Sequence, residues 1–429
     1  MKKIFLFAFV LMLLFTCSNA YCANEYITEE LLNTPQENEV TLSGDDDTLI
    51  DGVNQDGEIL NISDTSSDED LDDNVEEEFK VFDLMGKDES VSEEHPFSKI
   101  LKTEISRTDI PSYLLKDYLT FKYKKSPVSE TQYYASYQGS ISSLFKHHNY
   151  STEYDNLNTD IGVLGKFKNP NYNFKFHLKP VPVKGTSYLD RFFGDIYVVN
   201  SQIPNHKIIA GFSRVQTGIE GGVSPYILPF VTRSQIGRNF GNTRSLGLKI
   251  VGNYNYADYS VAYGSSGRSL LSGMPGTEFT GWLNLKPFGS KDGKYGKLTI
   301  GGGISTGHNR RNYTVGSVYV GYKYKKLWTN FEAAIADGYN GGAGMKSNKA
   351  TGYAFTAGWK FTPKFQLIGR VDQFDPNRDI SHDLKREYTI GLNWFIKGQA
   401  LKVVLNYVFC HNQNTRNSSK IILATQVML

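Results

Sequence analysis

From Ser129 to the last residue, apolar and polar side chains alternate with a period of two. In REYTIGLNWFIKGQALKVVLNYVF, Arg386 to Phe409, the residues Tyr388, Ile390, Leu392, Trp394 and Ile396 fall on one face, with Thr389, Gly391 and Asn393 on the other. KGQ then reverses the chain, and Leu401, Val403, Leu405, Tyr407 and Phe409 resume opposite Lys402 and Asn406. That period belongs to a β-strand, whose successive side chains point to opposite sides of a sheet. Sixteen such segments can be placed, near residues 131–145, 158–167, 171–179, 191–200, 206–213, 243–252, 255–263, 278–286, 296–304, 312–323, 327–336, 350–361, 364–374, 386–396, 400–409 and 418–429. Most have about ten residues, the length a tilted strand needs to cross a bilayer.

The connections alternate in length. Tight reversals at KNPN (168–171), QIPN (202–205), GNYN (252–255), KYKK (323–326), TP (362–363) and KGQ (397–399), with a longer one at 287–295, take turns with loops at 146–157, 180–190, 214–242, 264–277, 305–311, 337–349, 375–385 and 410–417. Brief turns at one end and extended loops at the other are the pattern of an outer-membrane barrel. A closed antiparallel barrel also explains the paired chemistry. Its outer face meets hydrocarbon, its inner face meets water, and closure satisfies every backbone N–H and C=O that lipid would leave bare. The expectation is an all-β, transmembrane antiparallel β-barrel of about 16 strands. A soluble β-sandwich with one wet face also alternates, but sixteen strands and so many outward aromatics in one domain fit it poorly.

The N-terminus adds compartment and charge. MKKIFLFAFVLMLLFTCSNAYCAN joins Lys2 and Lys3 to an apolar run from Ile4 to Phe15 and small residues, the layout of a secretory signal peptide. Only Cys410 stands clear of that peptide, so no disulfide framework is expected. Residues 1–114 carry 27 Asp+Glu against 7 Lys+Arg, whereas residues 115–429 carry 18 against 39. Leu42 to Glu78 is acidic and poor in aromatics, and reads as a solvated, disordered spacer. The expected organisation is therefore a signal peptide over 1–23, an acidic disordered periplasmic segment over 24–94, a short periplasmic or plug segment over 95–128, and the barrel over 129–429.

On the face opposite the apolar one, bases outnumber acids. Lys166, Lys175, His177, Arg191, Lys249, Lys297, Arg370 and Lys402 are the pore-lining candidates; Asp160, Asp195, Asp258, Glu332 and Asp372 are the acids among them. A cationic lumen with low-dielectric walls concentrates anions and repels cations. The longest loop, SRVQTGIEGGVSPYILPFVTRSQIGRNFGN, keeps the apolar run YILPF, which a fully solvated loop would not. It is expected either to fold back into the barrel mouth, with Arg214, Arg233 and Arg238 forming a constriction and Glu220 paired to one of them, or to pack between subunits. No zinc spacing, GxSxG motif or phosphate-cradling loop appears, so neither a metal nor a cofactor nor an enzyme activity is expected. Two arginines in GHNRRN are weak grounds for a nucleic-acid partner, and none is expected.

AGFSRVQTGIEGGVSPYILPFVTRSQIGRNFGNTRSLGLKI, NYADYSVAYGSSG, KFQLIGRVDQFDPNRD and REYTIGLNWFIKGQALKVVLNYVF together resemble the phosphate-selective porin O/P family, over roughly Asn156 to Leu429. The resemblance implies a homotrimeric sixteen-stranded porin in the outer membrane, with inward loops whose cations pass phosphate and similar small anions. Two features depart from that family: the chain ends in IILATQVML rather than on an aromatic, and the stretch from Leu42 to Glu78 has no counterpart. The rival reading is a barrel that anchors and adheres while conducting little.

Overall fold

The computed structural model describes residues 113–146, 149–181, 188–241, 243–290, 293–338 and 348–429; the signal peptide and the acidic segment expected from the sequence lie outside them. A three-residue turn, Asp117–Leu119, is the described part of one unit, and the barrel is the other. The strands are β1 (Thr120–Lys122), β2 (Val128–Lys146), β3 (Asn149–Phe167), β4 (Tyr172–Leu178), β5 (Phe193–Asn200) and β6 (His206–Val215). They continue with β7 (Thr243–Asn253), β8 (Ala257–Ser265), β9 (Thr277–Leu285), β10 (Lys297–Asn309), β11 (Arg311–Tyr324) and β12 (Leu327–Asp337). The last are β13 (Lys349–Thr362), β14 (Phe365–Asp375), β15 (Lys385–Lys397), β16 (Leu401–Asn412) and β17 (Ser418–Met428).

From β2 onward each strand runs antiparallel to the next, and β17 returns to β2 from Met428↔Ser136 to Ser419↔Phe145. Sixteen strands therefore close on themselves. The short β1 lies on the same edge of β2, beyond the end of β17, pairing Thr120 with Gln132. Leu429 seals the seam through two backbone bonds with Ala135, at 2.7 and 3.2 Å. With no edge strand left, the backbone carries no unpaired row of donors into hydrocarbon.

The radial pattern inverts that of a soluble protein. On β15, Ile390 and Trp394 are exposed on the outside, while Thr389 and Asn393 behind them are buried. The same exposed apolar face continues through Val318, Phe331, Phe355, Leu367, Leu405 and Leu423 on neighbouring strands. A contiguous apolar surface of this extent is untenable in water and natural in lipid. Among the described residues no helix is long and apolar enough to cross a membrane; strands do the crossing.

Two loops expected from the sequence are hairpins instead. β2 and β3 run on to Lys146 and Asn149, and β10 and β11 meet across Arg310, a non-glycine residue at φ 60°. Asn149–Tyr154 is exposed at every position. Beyond the apolar band both faces of a hairpin see water, so the greasy-outside code lapses while the strand continues. A third correction concerns Arg191, expected on a strand: it lies in the last turn of α1 (Tyr188–Phe192), and β5 begins at Phe193.

Candidate pore-lining site

The chain between β6 and β7 enters the barrel. Two 3-10 turns, Ile219–Gly222 and Pro225–Ile227, and the helix α2 (Gln235–Asn239) shape it, with Ser224 and Ser234 capping through their side chains. Gly218 at φ 76° makes a bend that side chains resist, and a Cβ there would crowd Glu332. The apolar run has its own berths. Ile236 and Phe240 sit among Ala334, Ala336, Ala350 and Ala354, small inward residues that leave room for α2. Val231 packs on Val404, Val408, Ile422 and Ala424, Tyr226 on Tyr134 and Met428, and Ile219 on Trp282 and Tyr319. Each such side chain contributes roughly 1.5–3 kcal/mol of burial, enough to offset the cost of ordering the loop around it.

Polar groups clamp the loop to one wall, β12 to β17. Lys402 Nζ donates to the carbonyls of Tyr226 and Leu228, both at 2.9 Å, and Gln426 Nε2 to that of Tyr226 at 2.8 Å. Asn406 Oδ1 accepts from Val231 N at 2.9 Å, and Arg370 Nη1 donates to Thr232 O at 2.8 Å while its Nε pairs with Asp372 at 2.8 Å. Arg238 meets Glu387 at 2.6 Å, with Gln235 on the other carboxylate oxygen, and Glu332 accepts from Ile219 N at 2.8 Å. Partial burial opposes the charge of Arg238, yet Glu387 holds its pKa above the ordinary arginine value. Burial pushes Arg233 the other way, against the pull of Glu220.

These contacts change what two sequence candidates do. Lys402 and Arg370 point inward as the alternation requires, but at 1% and 2% exposure they hold the loop rather than face open water. Within the loop, Glu220 accepts from Ser234 N at 2.7 Å and Ser234 Oγ at 3.1 Å, and Arg233 Nη2 donates to Val223 O at 2.8 Å. Arg214 is buried at the end of β6, and its carbonyl accepts from Lys249 Nζ at 2.8 Å. Lys297 is buried at the start of β10.

Across the barrel, β3 to β7 carry a different chemistry. Lys175 Nζ and Arg244 Nε grip the two oxygens of Asp195 at 2.7 and 2.8 Å. His177 lies between two carboxylates. Its Nε2 is 3.2 Å from Asp160, and its Nδ1 accepts from Asp195 N at 3.3 Å. Lys179 Nζ donates to Asn158 at 3.2 Å, and Asn158 in turn to Gln138. Unlike the clamp residues, Lys175 and Lys166 keep 23% and 24% of their side chains exposed, the latter 3.4 Å from Glu130. Arg244 is absent from the candidates read along the sequence. Pairing would have found it, since it is the direct cross-strand partner of Arg214.

Residues 299–429, which hold most of β10 and all of β11 to β17, match the model of the family described as phosphate-selective porin O and P. The closing eight strands carry that family's pattern. No curated protein matches the chain. Among solved structures, the outer membrane channel DcaP of Acinetobacter baumannii superimposes with a TM-score of 0.53 at 10% identity, covering 72% of this chain and 99% of its own. An anion-selective porin from Comamonas acidovorans gives 0.51 at 10% identity, covering 70% and 99%. OmpT of Vibrio cholerae gives 0.50 at 9% identity, covering 72% and 100%. At such identities the likeness establishes the porin barrel fold. The family match is shorter than the span that carries the resemblance in the sequence, leaving out the loop between β6 and β7 and the cluster on β3 to β5.

Proposed function

We propose that this protein is an outer-membrane porin through which small anions diffuse passively, past a constriction formed by the inward loop and the cationic wall of β3 to β7. One observation carries the reading: most of the loop's polar contacts go to β12 to β17, while Lys166 and Lys175, which keep about a quarter of their side chains exposed, stand on β3 and β4. Each of these cations is paired, to Glu130 or Asp195, and their positive potential along this wall draws anions into the passage. Arg191, Lys249 and Arg233 add positive potential nearby without open exposure. The family match supports phosphate among the anions taken, and the anion-selective porin among the fold relatives supports the sign. The reading extends to a homotrimer with the turn end and the N-terminal segment in the periplasm.

The measurement is the reversal potential of the purified protein in planar bilayers under a salt gradient. Anion preference that moves toward cations on Lys175→Glu supports the assignment; cation preference in the unaltered protein refutes it. The filling of the lumen by Tyr226, Phe230, Val231 and Ile236 favours a second reading, an occluded barrel that anchors or adheres. Absence of any unitary current would select it.

A further inference from the structure

The outward face is not uniform. An apolar groove of about 520 Å³ crosses β13 to β16. Its floor is the cross-strand pair Ala357↔Gly369, its turn-side wall Trp359 and Leu367, and its loop-side wall Tyr388 and Phe409. Gly369 explains the depression. A Cβ built there would meet only the carbonyl oxygen of Thr389, at 3.9 Å, and the backbone is not in the left-handed region. Neither conformation nor packing calls for glycine at this position, and glycine inside a strand weakens it. What the missing side chain leaves is room.

The turn-side end of the groove is amphiphilic. Trp359, Phe361, Phe365 and Trp394 form a continuous aromatic strip, with successive ring centroids 5.8, 6.1 and 6.1 Å apart. Two exposed lysines adjoin it. Lys326 is tied to the foot of β13, its carbonyl accepting from Lys360 N, and Lys364 to the foot of β15, its carbonyl accepting from Phe395 N, both at 2.8 Å. Aromatic rings at the interface with cations just beyond are the setting of a lipid headgroup. Length agrees as well. From Lys364 to Val371 is seven steps along a strand, roughly 23 Å, or about 18 Å of depth at a tilt near 40°. One leaflet of hydrocarbon is about 15 Å deep.

We propose that this groove is a binding site for one phospholipid with an anionic headgroup from the turn-side leaflet, its acyl chain over Gly369 and its phosphate between Lys326 and Lys364. The proposal rests on the membrane orientation of the porin reading, not on conduction. The test uses the full chain purified in mild detergent. Native mass spectrometry counts lipid retained after addition of dioleoylphosphatidylglycerol or dioleoylphosphatidylcholine, and records the oligomeric state in the same spectra. Expected is one phosphatidylglycerol per chain, held preferentially over phosphatidylcholine. Gly369→Phe and, independently, Ala357→Phe should abolish retention, while K326E with K364E should remove the preference. Unchanged retention in both filled variants, each still migrating as a folded barrel, would overturn the site. So would a fall in oligomeric state with lipid retention intact, because a second copy would then be the occupant. A protein that retains lipid as expected but passes no current would refute the porin reading and leave this site standing.

Discussion

Two walls of one barrel face each other with opposite uses of charge. On β12 to β17, Lys402, Arg370 and Glu332 are buried and Glu387 is partly so, all turned against the inward loop, each ion or amide meeting a backbone group or a counter-ion. On β3 to β7, Lys175, His177, Asp160, Asp195 and Arg244 bond mainly to one another. The first wall holds a structure in place; the second offers a field. The same residue types, on the same inward positions, thus divide into mechanical and electrostatic roles according to whether a loop lies over them.

Breaking the clamp should have the largest effect. Arg238→Ala leaves the partly buried Glu387 beside Gln235 without its cation, at a cost approaching the roughly 3–5 kcal/mol of stranding one member of a fully buried pair. The expected result is a loop open to proteolysis in the folded barrel and a several-fold rise in unitary conductance. Lys402→Met leaves the Leu228 carbonyl without its donor, a loss of about 1–3 kcal/mol, while Gln426 still serves the Tyr226 carbonyl. It should give a noisier, intermittently larger channel, measured by single-channel recording.

The opposite wall should respond in selectivity rather than in stability of the loop. Asp195→Asn removes the negative charge held by both Lys175 and Arg244 and raises the positive potential along this wall. The reversal potential should move further toward anions, with conductance little changed; a move toward cations would remove these residues from the path. The smallest effect is expected at Lys166 and Glu130, whose 3.4 Å pair is partly exposed. Breaking it should change stability by no more than about 1 kcal/mol, vanishing as salt is raised. A loss comparable to that of the clamp variants would dissolve the distinction between the two walls.

Most of the architecture was legible because a lipid-facing strand has a strict local code. Every one of the sixteen segments reappears as a strand, with ends displaced by a few residues in most cases, since alternation follows from which solvent each face meets. The code failed where hydrocarbon no longer imposed it, at the exposed tips of β2–β3 and β10–β11. It also gave no hint that the inner face has apolar berths. Val404, Val408, Ile422 and Ala424 break the polar lining, and only the loop that covers them gives the reason.

By itself, the sequence determined the dyad repeat, its closure with lipid outside, the cationic surplus within, and an apolar run in the long loop that had to be covered either inside the barrel or between subunits. Tertiary structure alone decided which cations that loop consumes and which are left on the opposite wall. Alternation is a property of neighbours along a strand. The partner of Lys402 is a carbonyl 176 residues away in sequence, at Tyr226, and no local pattern encodes that distance.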